Sequence, residues 1–130
     1  MPKRVLFVCV ENSNRSQMAE AFARMEGGDA IDAHSAGSRP SGVINLKAIH
    51  FMDELGYDLR THTSKSLDAI AGMDFDAVVT MGCGDSCPWV AATRREDWAL
   101  PDPKHLDDEG YRVVRDDIHA HVRALLKALA

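Results

Sequence analysis

Long apolar runs, a surplus of positive charge and an even set of cysteines are all missing from this chain. No apolar stretch in its 130 residues approaches the ~20 needed to span a bilayer. Lys and Arg total 15 against 20 Asp and Glu, for a net charge of -5. That balance disfavours nucleic acid or an anionic membrane surface as a general partner, so any anion site must be local. Only three cysteines occur, Cys9, Cys83 and Cys87. An odd count in an intracellular chain argues against a structural disulfide framework and leaves metal binding, thiol catalysis or inert burial. The opening MPKR runs straight into a strand-like segment without a signal-peptide pattern, so a cytoplasmic location is expected. Repeats, linkers and low-complexity tracts are absent too.

What is present reads as one globular domain over residues 1–130, with 45% hydrophobic and 27% charged residues. Residues 4–10 are nearly all apolar and β-branched, the mark of a central parallel strand buried on both faces. Met18, Phe22 and Met25 recur at helical spacing, and Gly27-Gly28 stops that helix. Residues 30–36 alternate as a strand nearer an edge. Asn45 is placed to cap a helix carrying Leu46, Ile49, Met52 and Leu55, with Gly56 as its stop. A short helix is expected over 66–71, a buried third strand over 75–81 and a fourth strand over 97–100, ended by Pro101. Residues 82–95 are expected to be mobile, and Trp89 and Trp98 to serve packing. Val114, Ile118, Val122, Leu125 and Leu129 mark a final helix starting near Asp108. Strands alternating with helices predict an α/β fold, a three-layer α/β/α arrangement around a four-stranded parallel sheet. Ligands in such sheets sit at the carboxyl ends of the strands, where Cys9, Cys83 and Asp102 all fall.

The stretch CVENSNRS, residues 9–16, joins the first strand to the first helix. Val10, Glu11, Asn12, Ser13, Asn14, Arg15 and Ser16 then form a loop whose amides can cradle an oxyanion, aided by the helix dipole. Arg15 adds a planar fork that matches two oxygens of a phosphate-like anion. The same surroundings favour the Cys9 thiolate, to which Ser16 can donate its hydroxyl. Asn12 suits a left-handed backbone position. Glu11 would repel a bound dianion, so its side chain is expected to point outward, to solvent or to a basic neighbour. Cys83 and Cys87 admit three readings: a redox pair, two metal ligands completed by a histidine or Cys9, or two unconnected small residues. The intervening Gly-Asp-Ser favours a turn, and no C-x2-C or H-x3-H spacing supports zinc, so no metal is expected.

Cysteine, five residues, arginine and serine, set between a strand and a helix, resembles the signature of the low-molecular-weight protein tyrosine phosphatase superfamily. CVENSNRSQMAEAF, SAG at 35–37, HTS at 62–64, VVTMGCGDSCP at 78–88 and DP at 102–103 are similar to its thioredoxin-coupled arsenate reductase branch, in order along nearly the whole chain. The resemblance implies that Cys9 attacks arsenate in the loop, with phosphate or sulfate as analogues. Asp102 is implied as the proton donor to the departing water or hydroxide. Cys83 then attacks Cys9 and arsenite leaves; Cys87 attacks the Cys9–Cys83 disulfide, and thioredoxin reduces the resulting Cys83–Cys87 pair. Some relatives hold a potassium ion beside the loop with an aspartate after HTS. Here Lys65 stands in that place, while Asn12, Glu20, Ser35 and Thr63 match the other positions. Lys65, Ser35 and Thr63, with Asn12 and Ser16, are therefore expected to brace the loop, with the ammonium in place of the ion and no cofactor. The gap between the paired cysteines is shorter than in some relatives, which leaves a mycothiol or glutaredoxin route open. A monomer is expected. A phosphatase is the competing activity, but Lys104 follows Asp-Pro where phosphatases usually carry an aromatic residue. A thiol sensor for arsenite or metal is the competing non-enzyme.

Overall fold

The computed structural model of the protein describes residues 2–82 and 89–130. Four parallel strands form one sheet in the order β2-β1-β3-β4, with β1 at Lys3–Cys9, β2 at Ile31–Gly37, β3 at Phe75–Thr80 and β4 at Ala92–Asp97. Among the described residues three α-helices accompany it: α1 at Arg15–Gly27, α2 at Leu46–Asp53 and α3 at Asp108–Leu129. Strand β1 is central because it can be buried on both faces: Val5, Leu6, Phe7 and Val8 are all fully buried.

Alternation along β1 divides its side chains between two clusters. Val5, Phe7 and Cys9 join Phe22, Met52, Tyr111, Ile118 and Val122 of the three helices in the main core. Leu6 and Val8 join Ala36 and Val78 on the other face, under Ile70 of the 3-10 turn Leu67–Ile70, with Met73 and Val90 packed alongside. The layers are thus α-helices, sheet, and a thinner cover of turn and loop among the described residues. No helix of the described residues is long and apolar enough to cross a membrane.

Several local assignments differ from the sequence pattern. The fourth strand is Ala92–Asp97, five residues before the expected start, so residues 92–95 belong to the sheet rather than to a mobile segment. It is an edge strand with Arg94 and Arg95 exposed, and charge on an edge blocks strand addition while hiding the apolar signal. Trp98 and Leu100 instead pack beyond its end, buried in the main core. Asn45 caps α2, accepting from Lys47 N at 2.9 Å. However, α2 ends at Asp53 and buries Ala48, Phe51 and Met52, while Leu46 is 81% exposed and Leu55 lies beyond the helix. Met25 is partly exposed because it lies in the last turn of α1, where Arg24 and Glu26 are exposed too, beyond the stretch 16–23 that the fold buries. Trp89 is exposed, with the Arg95 guanidinium 4.8 Å from its ring centroid, rather than packed. The expected helix over 66–71 is the 3-10 turn Leu67–Ile70.

The fold brings the ends of β1 and β2 together behind the 9–16 loop. Cys9 pairs in register with Gly37. A Cβ at Gly37 would lie 2.5 Å from Val10 O and 3.0 Å from Asn12 N, so only glycine lets β2 approach the loop this closely. That requirement is the physical content of the Ser-Ala-Gly stretch at 35–37.

Candidate active site

Cys9 ends β1 and Arg15 begins α1, so five residues turn the chain between a strand end and a helix N-terminus. Asn12 takes the left-handed conformation expected of it, with φ 51°. The loop carbonyls are tied outward: Val10 O accepts from Arg39 N at 2.8 Å, Glu11 O from Ser41 N at 3.0 Å and Ser13 O from Asn45 N at 3.0 Å. In a trans peptide the N–H points opposite to the carbonyl. The amides of Glu11, Asn12 and Asn14 are therefore turned away from the 39–45 segment.

A cavity of about 240 Å³ opens here, lined by Cys9, Val10, Glu11, Ser13, Asn14, Arg15, Asp102 and Lys104. Cys9 is 4% exposed, and its Sγ lies 2.8 Å from Ser16 Oγ. Asn12 Nδ2 donates to the same Ser16 Oγ at 2.8 Å. Arg15 Nη1 donates to Met81 O at 2.8 Å and Leu100 O at 2.7 Å, carbonyls that follow β3 and β4. These two bonds lock the guanidinium against the strand ends, with five N–H donors in total available to the group.

Asp102 reaches the same cavity from the segment after β4. Its Oδ1 accepts from Lys104 N at 3.1 Å, capping the 3-10 turn Pro103–His105. Glu11 lines the cavity instead of being turned wholly to solvent, and its half-exposed carboxylate meets a basic neighbour, with Oε2 3.8 Å from Lys104 Nζ. Cys83 and Cys87 lie outside the described residues.

Beneath the loop sits a buried polar cluster. Glu20 is 3% exposed; Ser35 Oγ donates to its Oε1 at 2.6 Å and Arg24 Nη2 lies 2.8 Å from Oε2. Lys65 Nζ stands 3.8 Å from Glu20 Oε1 and donates to Thr63 O at 3.1 Å. Its ammonium thus lies among Glu20, Ser35 and Thr63. Burial pushes the Lys65 amine below its ordinary pKa, against the opposing pull of Glu20. Among the described residues no group of three or more His, Cys, Asp or Glu side chains is arranged to hold a metal ion.

Two residues of this region have no counterpart among the sequence-based expectations. Gln17 is fully buried and bonds Asn12, Thr63 and His62. No sequence signal marks it, since the burial of residues 16–23, which obliges every polar group there to find a partner, is a product of the fold. Tyr111 is also fully buried, and its hydroxyl donates to Asn14 Oδ1. Burial and then the nearby Asp102 charge push this phenol well above its usual range, so it stays a donor to the loop.

Residues 4–130 match the family model described as low molecular weight phosphotyrosine protein phosphatase. The chain belongs to this phosphatase family. Within the family, it is 38% identical over 131 residues to the glutaredoxin arsenate reductase of Synechocystis sp., covering 98% of this chain and 99% of that protein. Among solved family structures, an arsenate reductase in the phosphate binding state superposes with a TM-score of 0.90 at 37% identity, covering 98% of this chain and 99% of the other. The thioredoxin-dependent arsenate reductase of Corynebacterium glutamicum superposes with a TM-score of 0.80 at 32% identity, covering 98% of this chain and 61% of the other.

Proposed function

We propose that this protein is an arsenate reductase that uses Cys9 as nucleophile and Cys83 and Cys87 as an internal dithiol, re-reduced by thioredoxin. The observation that carries the reading is a small cavity lined by Cys9, Arg15 and Asp102 together, in a chain with two further cysteines. Its relatives named arsenate reductases, similar over nearly the whole length, support the same substrate.

Arsenate, a tetrahedral oxyanion, binds against the amides of residues 10–16 and the Arg15 guanidinium. The Cys9 thiolate attacks arsenic and one oxygen leaves as water, protonated by Asp102. The Cys83 thiolate then attacks Cys9 Sγ. The S–As bond breaks, its electron pair stays on arsenic, and arsenite departs as the Cys9–Cys83 disulfide forms. Cys87 attacks Cys83 Sγ, releasing the Cys9 thiolate and leaving a Cys83–Cys87 disulfide. Two electrons thus pass from the dithiol to arsenic, and an external dithiol protein restores them. Lys65, Ser35 and Thr63, with Asn12 and Ser16, brace the loop. A monomer of one domain in the reducing cytoplasm, where the three thiols stay reduced between turnovers, fits this reading.

Lys104, which follows Asp102-Pro103, lines the cavity where phosphatases usually carry an aromatic residue, so phosphotyrosine is a poor substrate in this reading. A slow hydrolysis of small phosphate esters remains, since phosphate and arsenate share shape and charge. The reductant is tested by supplying arsenate with NADPH and either thioredoxin plus thioredoxin reductase or glutaredoxin plus glutathione and its reductase. Multiple turnovers with thioredoxin are expected. Turnover only with glutathione would reassign the reductant, and stoichiometric arsenite binding without turnover would make the protein a sensor. Asp102→Asn should lower kcat about 10²-fold, because the leaving oxygen loses its proton source. Its KM for arsenate should change far less, which steady-state kinetics on the folded variant will check.

A further inference from the structure

The buried polar groups under the loop have a direction that follows from which atoms are able only to donate or only to accept. The backbone amide of Lys65 lies 2.9 Å from Asn12 Oδ1, and an amide N–H only donates. The Asn12 oxygen is therefore fixed on that side, and its Nδ2 must face Ser16 Oγ and donate to it. Gln17 Nε2 faces the carbonyls of Asn12 and Thr63, at 3.0 and 2.9 Å, and the Asn12 Oδ1 at 2.9 Å. All three only accept, so the Gln17 nitrogen is fixed there and its oxygen faces His62 Nδ1 at 2.9 Å. That oxygen requires a proton on Nδ1. In neutral His62 the other nitrogen, Nε2, is then an acceptor, and Tyr57 OH lies 2.6 Å from it.

We propose that Gln17, His62 and Tyr57 are positioning residues for Cys9, which hold Asn12 and Ser16 in a one-way hydrogen-bond chain whose donors all point toward the sulfur. Tyr57 donates to His62, His62 to Gln17, Gln17 to Asn12, Asn12 to Ser16, and Ser16 to Cys9 Sγ at 2.8 Å. Ser16 Oγ accepts from Asn12 and keeps its own proton free to donate to the sulfur. Bonds linked in this way strengthen one another. The chain also holds Asn12 in its left-handed conformation through two fixed contacts on Oδ1.

The groups around His62 agree with this arrangement. Glu20 Oε2 lies 3.5 Å from Nδ1, a second acceptor on the protonated side. Arg24 and Lys65 oppose a charge on the ring, Glu20 favours it, and burial, the largest influence, keeps the imidazole neutral. Tyr57 completes the set of titratable neighbours, and burial raises its phenol above the ordinary value, so it remains a donor.

The proposal rests on Cys9 as nucleophile, but its test needs no arsenate. Nitrogen-15 NMR of the wild-type imidazoles should show His62 as the Nδ1–H tautomer, unchanged across neutral pH. Alkylation of Cys9 by iodoacetamide, followed on its own peptide by mass spectrometry, should slow about threefold at neutral pH in His62→Leu, with the pH profile displaced upward. His62→Asn places an amide N–H near the position of Nδ1 and should restore the rate to within about twofold. An Nε2–H tautomer in the wild type would overturn the proposal, whether or not His62→Leu folds. So would an unchanged profile in a folded His62→Leu, or an equal slowing in His62→Asn. If these readouts hold and arsenate is not turned over, the chain stands and only the assigned substrate fails.

Discussion

Cys9→Ser should abolish both arsenate reduction and p-nitrophenyl phosphate hydrolysis, each by at least about 10⁴-fold, while leaving the fold intact. The reason is chemical rather than structural. The thiolate is the species that attacks, and a serine hydroxyl in the same place stays protonated without an adjacent general base. Ser16 cannot serve as that base, since a neutral hydroxyl is far too weakly basic to take the proton. The replacement is nearly isosteric, and the 2.8 Å contact with Ser16 is one that a hydroxyl can also make. Stability should therefore change by about 1 kcal/mol or less, read as a small shift in Tm. Equal loss of both activities would show that one nucleophile serves both reactions. Phosphate ester hydrolysis surviving in Cys9→Ser would place its nucleophile elsewhere.

Arg15→Lys should lower kcat/KM for arsenate about 10²- to 10³-fold although the charge is kept. Arg15 does two jobs with one planar group. Its Nη1 binds Met81 O and Leu100 O at 2.8 and 2.7 Å, which pins the side chain to the ends of two strands. The rest of the fork is then presented in a fixed orientation to the cavity that it lines. A lysine ammonium is a point charge with three donors on a flexible stem, so it cannot satisfy both carbonyls and still present a fork. The cost should fall on kcat as well as KM, because charge builds on the oxyanion in the transition state. A measured loss confined to KM would mean that Arg15 only binds the ground state. Thermal denaturation should show a loss of about 1–3 kcal/mol from the carbonyls left poorly paired.

The parts of the site that could be read from the sequence are those where chemistry and local geometry coincide. Cys9 to Ser16 lies between an apolar run and an amphipathic one, so the strand, the loop and the helix start all follow from adjacent residues. Charge repulsion alone called for a basic neighbour or solvent beside Glu11, and Lys104 stands 3.8 Å from it, although both residues line the cavity. Lys65 stands with Glu20, Ser35 and Thr63, although these residues come from three different segments. What was not legible depends on packing across the fold. Strand β4 carries Arg94 and Arg95 at an edge, and its apolar neighbours Trp98 and Leu100 shifted the expected strand toward them. The buried face of α2 is set by Phe51 stacking on Tyr111, 4.6 Å between ring centroids, and no helical periodicity reveals that partner. Gln17 and Tyr111 become loop-holding groups only when segments distant in sequence close over them. Cys83 and Cys87 lie outside the described residues, so their part in the reaction rests on the chemistry of the chain.

The central claim is that oxidation passes from Cys9 to an internal cysteine pair before any external reductant acts. The most direct measurement is arsenate-dependent NADPH oxidation with thioredoxin and thioredoxin reductase, compared between wild type, Cys83→Ser and Cys87→Ser, with p-nitrophenyl phosphate hydrolysis measured on the same samples. Wild type should turn over many times, both variants should stop at one equivalent or less, and both should keep wild-type hydrolysis. Sustained NADPH oxidation by Cys87→Ser would contradict the internal disulfide and assign the final step to an external thiol.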